Sequence, residues 1–327
     1  MRLGRIRGAA RGFSGAAAAY LGFGIPAFAV MLVLAVLYKY GQEASLVLSL
    51  FAGLRAMVVA IIANAALSFG ATTIKKWWHV PVVAGAAAAL YFGVSPIYVI
   101  FAAAAVGLVM PVAVGSKPQP SAAHEPEARH RSFLRPVIIL LAVAAVVMSI
   151  LFVVKRPLFD LALTMLRVDL FAFGGGFASI PLMQHEVVTV HHWVDAQVFI
   201  DGIALGQVTP GPIVITATFV GYLFAGFGGA VIATVAIFLP SFVILTLVEP
   251  YFDRFKRNRY FRRAIAGILL SFVGLLLAVT VRLGVSVTWE VWSIILAVAA
   301  FVALRLKAEV LWVVLAGGVI SVIIGLL

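Results

Sequence analysis

Three glycines in a row, Gly174, Gly175 and Gly176, interrupt the apolar stretch RVDLFAFGGGFASIPLMQHEVV at 167–188. A Pro-Gly-Pro triplet, Pro210, Gly211 and Pro212, interrupts FIDGIALGQVTPGPIVITATFVGY at 199–222. Glycine weakens a helix, and each proline removes an N–H donor and disfavours helix in the residue before it. Non-helical backbone at membrane depth survives only when it is buried in protein or lines a wet cavity. Two such breaks close in sequence would turn helix N-termini and free N–H groups toward one space, an arrangement that suits an oxyanion. Gln207, Thr209 and Gly211 are the candidates for direct contact. Close helix packing is the other use of three glycines in a bilayer, but it accounts poorly for Gln207, Thr209 and the double proline.

Charged groups at depth are costly and are usually paired or functional. Arg167 and Asp169 stand just ahead of the glycines. Either they attract the anion and relay protons, or they snorkel to an interface. Arg55 is alone in its apolar run and is a further candidate for anion contact. Gln184, His185 and Glu186 read as a gate or proton-coupling group at the cytoplasmic end of their segment, or as a solvated helix end. Asp201 is a helix N-terminal charge or a coupling acid. The string HEVVTVHH lacks the i, i+4 histidine pair of a zinc protease, since position 189 is Thr. AFGGGF lacks the strand–turn–helix setting of a nucleotide loop. No nucleophile–base pair is found, so an enzyme is not expected, nor any cofactor or metal.

These residues sit in a chain of 327 residues that is 64% hydrophobic and 11% charged, with mean hydropathy +1.15. Long apolar runs along nearly the whole length mark an all-α polytopic membrane protein. The absence of cysteine excludes disulfides, thiolate metal sites and cysteine nucleophiles. The net charge of +12 sits in short loops, which argues for membrane topology and against nucleic-acid binding. Eleven segments are expected: 16–37, 46–69, 80–93, 95–114, 137–154, 158–183, 197–222, 229–248, 262–286, 289–304 and 308–327. With the N-terminus cytoplasmic, eighteen of the 24 Lys and Arg fall in inside loops, four in outside loops and two, Arg55 and Arg167, within segments. The C-terminus is then outside. The basic run Arg254 to Arg263 reads as a topology determinant that also touches anionic lipid.

A constant offset of 214 relates two halves. Gly12, Phe13, Gly15, Pro26 and Phe28 match Gly226, Phe227, Gly229, Pro240 and Phe242; Gly53, Gly70 and Trp78 match Gly267, Gly284 and Trp292. An internal duplication follows. Because the copies begin on an odd and an even segment, they are inverted, a transporter plan with its site near the midplane. The expected division is a first half at 1–114, a polar cytoplasmic linker at 115–136 holding His124 and His130, and a second half at 137–327. Subtracting 214 places the counterparts of both breaks before Met1, so the first half is expected to lack its front.

The stretches FGGGFASIPLMQHEVV and DGIALGQVTPGPIVITATFVGY, with AGFGGAVIATVAIFLPSF and LGRIRGAARGFSGAAAAYLGFGIPAF, resemble the chromate ion transporter family over nearly the whole chain. The resemblance implies two inverted halves and export of chromate, with sulfate as a structural analogue, across the bacterial inner membrane. Its partners would be the oxyanion and membrane lipid, with a homodimer or a partner chain left open. The family's first-half signature is absent, which leaves a second reading: a chain or subunit that transports only when a partner supplies that signature. Chromate against sulfate preference, and proton coupling against potential-driven export, are not set by the sequence.

Overall fold

The computed structural model describes residues 13–41, 44–110, 127–173, 175–248 and 258–326. Residues 1–12, 42–43, 111–126, 174, 249–257 and 327 lie outside the described residues, and with them Gly174 and the 254–257 part of the Arg254–Arg263 run. The described residues are predominantly helical, because a backbone in lipid must satisfy its own N–H and C=O groups. In chain order the helices are α1 (Phe13–Gly41), α2 (Ser45–Thr73), α3 (Val80–Tyr91), α4 (Pro96–Val109), α5 (Glu127–Val154) and α6 (Arg156–Phe171). They continue as α7 (Ser179–Gln184), α8 (Ala196–Val208), α9 (Thr216–Val248), α10 (Arg259–Ser286), α11 (Val291–Arg305) and α12 (Val310–Leu326). The last ten residues assigned to the linker, 127–136, already belong to α5.

Among the described residues five helices are long and apolar enough to cross a membrane: Ala17–Gly41, Ser45–Thr73, Arg135–Val154, Ile213–Leu247 and Arg259–Ser286. Half or more of the α2 and α10 windows is buried (50% and 61%), against 6% for α5. So α2 and α10 form the centre, and α5 lies outside with its apolar side chains exposed. In α9 the apparent continuity is misleading. Thr218 Oγ1 and Thr234 Oγ1 are 2.7 Å apart, whereas sixteen residues of straight helix would separate them by about 24 Å. The chain reverses at Ala225 and Gly226, where Gly226 takes φ 65°, a conformation glycine tolerates. Gly221 and Gly229 then meet back to back, each facing the other's carbonyl.

The 214-residue offset recurs as contacts. A Cβ on Gly70 would stand 3.3 Å from Val273 Cγ1, and one on Gly284 would stand 3.6 Å from Val59 Cγ1. Adding 214 to 70 and 59 gives 284 and 273. Likewise Gly267 packs on Gly107 and Gly53 packs on Ser321, which are the same contact shifted by 214. Along these contacts α2 and α10 run in opposite directions, so the two halves are inverted about their crossing. The α3–α4 pair flanks α10 as the α11–α12 pair flanks α2. Small residues allow this approach: a Cβ on Gly267 would collide with the backbone of Ala103. Gly267→Val is therefore expected to cost about 1–3 kcal/mol or more, read as a lower thermal midpoint in detergent.

Candidate functional site

Between α5 and α9 the chain builds two helical hairpins. In the first, α6 runs to a break at 172–178 and the chain returns through Gly176–Ala178, α7 and a π turn at His185–Val190. Thr164 Oγ1 on α6 meets His191 Nε2 at 3.4 Å, and Arg167 lies within electrostatic reach of Glu186. The arms are thus antiparallel. In the second, α8 runs to a break at 209–215 and returns through the first arm of α9. Thr216 Oγ1 donates to Ile213 O at 2.8 Å and reaches Gly202 O on α8 at 3.4 Å, while Gly202 packs on the Phe219 ring. Trp193 joins the bases of the hairpins, stacking on His191 with centroids 4.4 Å apart and leaning on Phe224 at 4.8 Å.

The segments at 158–183 and 197–222 are therefore folded back on themselves. This moves Gln184, His185 and Glu186 from the end of a crossing helix to the returning arm of the first hairpin. Their expected place at a cytoplasmic helix end is corrected accordingly. Gln184 and His185 are buried, and Gln184 Oε1 and His185 Nδ1 have no hydrogen-bond partner. Arg282 of α10 is within electrostatic reach of His185, and its Nη2 donates to Leu90 O and Tyr91 O at 2.5 and 3.0 Å.

The two tips touch. Gly175 sits at φ 99°, ψ −178°, a region open essentially to glycine alone. A Cβ on Gly176 would come within 2.8 Å of Ile213 Cγ2 in the other tip. The first N–H groups of a returning arm have no acceptor within that arm, so both tips hold backbone donors at the centre of the protein. Beside the first tip lies a cavity of about 490 Å³, lined by Gly175, Gly176, Phe177 and Ala178 and by residues of α2, α10 and α12. The second tip lies behind it. Gln207 Nε2 is buried there without a partner. Thr209 Oγ1 donates back to Leu205 O at 2.8 Å. Pro210 and Gly211 are exposed and Pro212 half-buried, with Gly211 against Ala27 of α1.

The charged candidates do not converge on that cavity. Arg55 Nε and Nη2 donate to the two carboxylate oxygens of Asp201, each at 2.7 Å, and Nη1 donates to Gln197 Oε1 at 3.0 Å. Asp201 is fully buried and also accepts from Tyr38 Oη at 2.8 Å. Gln197 Nε2 passes the chain of bonds on to Ser286 O at 3.0 Å. Arg55 is thus occupied in tying the second hairpin to α1, α2 and α10, because a buried carboxylate needs its charge and lone pairs met. Asp169 accepts from Ser241 N and Oγ at 2.7 and 2.8 Å. Pro240 just ahead of Ser241 disrupts the α9 ladder there, and Asp169 takes the N–H. Arg167 is exposed and is paired with neither Asp169 nor the cavity.

Reading the sequence for charge, glycine and proline passes over the polar wall of the cavity, which is Asn64, Ser68 and Thr72 of α2. Their spacing is i, i+4, i+8 in an otherwise apolar helix, and that spacing is the signal that finds them.

The family model described as Chromate transporter matches residues 3–108 and 159–322. An uncharacterized transporter of Methanocaldococcus jannaschii is 40% identical over 317 residues, covering 97% of this chain and 77% of that protein. A probable chromate transport protein of Synechococcus elongatus is 29% identical over 277 residues, 84% of this chain and 67% of that protein. The chromate transport protein of Cupriavidus metallidurans is 34% identical over 141 residues, 43% of this chain and 35% of that protein. No solved structure matches.

Proposed function

Because the chain belongs to the chromate transporter family, a family of transport proteins and not of enzymes, we propose that it is a secondary transporter exporting chromate, with sulfate as second tetrahedral dianion, across the inner membrane. The observation that carries this reading is the contact of two hairpin tips, with a cavity beside the first tip and the Gln207 amide nitrogen left without a partner in the second. Preformed N–H donors can replace part of an oxyanion's hydration shell without any cofactor. In this reading the tips, Gly174 to Gly176 and Gln207 to Pro212, hold the anion. The basic termini of α2 and α10 face the cytoplasm, and the C-terminus is outside. The cavity then opens inward, and the Tyr38–Asp201–Arg55–Gln197 network closes the outer side. Gln184, His185, Glu186 and Asp169 supply gating or proton coupling, with Arg167 offsetting Glu186.

An inside-negative potential assists a leaving dianion by about 2.3 kcal/mol per charge per 100 mV, so roughly 4–5 kcal/mol in all. The test is anion movement into and out of proteoliposomes under an imposed potassium diffusion potential. Chromate moving with the sign of a carried negative charge is the expected result. Gln207→Ala removes a donor to a charged ligand, worth about 1.5–3 kcal/mol. It should slow transport about 10- to 100-fold with insertion unchanged. Wild-type protein that moves neither chromate nor sulfate overturns the function; full activity in Gln207→Ala overturns the site. A second reading, that two chains act together, rests on the offset, which pairs α1–α4 with α9–α12 and leaves the hairpins unmated within residues 1–327. It predicts activity only in vesicles holding two or more copies or a partner chain.

A further inference from the structure

We propose that Asn64, Ser68 and Thr72 of α2 also meet the anion, in the cavity beside the first hairpin tip, so that the first half of the chain supplies a wall of the site facing that tip. This rests on the transport reading above. All three residues line the same cavity as Gly175–Ala178. Four-residue steps put them on one line along the helix, about 6 Å apart. Ser68 and Thr72 are exposed and lie toward the C-terminal end of α2, while Asn64 is half-buried farther in. Thr72 Oγ1 donates to Phe69 O at 2.8 Å and keeps its lone pairs free. Among the described residues neither the Asn64 amide nor the Ser68 hydroxyl has a hydrogen-bond partner.

Polar side chains in membrane helices ordinarily bond back to their own backbone, as Thr209, Thr234 and Thr280 do here. Asn64 and Ser68 do not, and both line the cavity, where a ligand could satisfy them. The chemistry of the wall is neutral. Among the described residues no Lys, Arg, Asp or Glu lines the cavity, so a dianion would be held by amide and hydroxyl dipoles and by the tip's N–H groups. Such a wall binds weakly enough to release, which conduction requires. A carboxylate at the innermost rung would repel the same ligand.

The chain has no cysteine, so single-cysteine variants report on single positions. Asn64→Cys, Ser68→Cys and Thr72→Cys in the full-length protein are to be treated with a charged, membrane-impermeant thiol reagent, with and without sulfate. Leu67→Cys, on the exposed apolar side of α2 and not lining the cavity, is the control. Labelling at 72, 68 and 64, slowing in that order, with sulfate protection at 64 and 68 and no labelling at 67, is the expected result. In the transport assay Asn64→Ala should raise the half-saturating concentration about 10-fold, one hydrogen bond to a charged group. Asn64→Asp should abolish transport, and Leu67→Ala should leave it unchanged. If wild-type protein transports but Asn64→Ala keeps its half-saturation, or sulfate protects none of the cysteines, the wall is not the site. If wild-type protein moves neither anion, the transport reading itself fails, a result the labelling pattern does not share.

Discussion

Asp201→Ala is expected to destabilise the protein by about 3–5 kcal/mol, the cost of leaving one member of a buried ion pair alone. Asp201 is fully buried and receives three hydrogen bonds, two from Arg55 and one from Tyr38. Its removal strands a guanidinium and a hydroxyl at the junction of α1, α2 and α8. Asp201→Asn keeps the shape but loses the charge, and should fall between wild type and Ala. The paired variant Arg55→Leu with Asp201→Leu removes both charges and should recover much of the loss. Thermal unfolding in detergent ranks the four proteins, and the single variants Arg55→Leu and Asp201→Leu complete the cycle that yields the coupling energy. If Arg55 instead served mainly as a free contact for substrate, Asp201→Ala would leave the unfolding midpoint near wild type and tighten anion binding. That outcome would remove the latch from the account.

The second large effect belongs to Gly175. An alanine there meets nothing within 4 Å, so the whole penalty is backbone strain at φ 99°, of order 1–3 kcal/mol. The tip must re-form, and transport should fall about 5- to 150-fold, one decade for each ~1.4 kcal/mol. Gly176→Ala fails for a different reason, because its Cβ would press on Ile213 Cγ2 at 2.8 Å and part the two tips. Combining Gly176→Ala with Ile213→Ala removes that methyl and should restore activity, whereas Ile213→Ala should not rescue Gly175→Ala. Rescue of both, or of neither, would mean that the tips are not held together in the way described.

How far the sequence reaches differs from element to element. The breaks at 172–178 and 209–215 are legible, because runs of glycine and proline leave little else for the chain to do. That the segments fold back is not legible. Both are long enough to be taken as crossing helices, and the loop between them, 184–196, contains no Lys or Arg, so the positive-inside rule is silent on which side it lies. The repeat is legible to the residue: α2 begins at 45 and α10 at 259, α4 at 96 and α12 at 310, each pair 214 apart. Arg55 is conspicuous as a lone charge, but its partner Asp201 lies 146 residues away, beyond any local pattern. Asn64, Ser68 and Thr72 carry no charge and are scattered among alanines and leucines. Only their helical spacing gives them away.

The hairpins also constrain the order in which the protein is made. Each tip holds backbone amides that lipid cannot satisfy; the first lies against α2, synthesised earlier, and α10, synthesised later, and the second lies against the first. When the ribosome has finished Val208, the wall that α10 will provide does not yet exist. The nascent hairpins must wait, outside the hydrocarbon or in the care of the insertion machinery, until residues 259–286 have emerged and closed the pen around them.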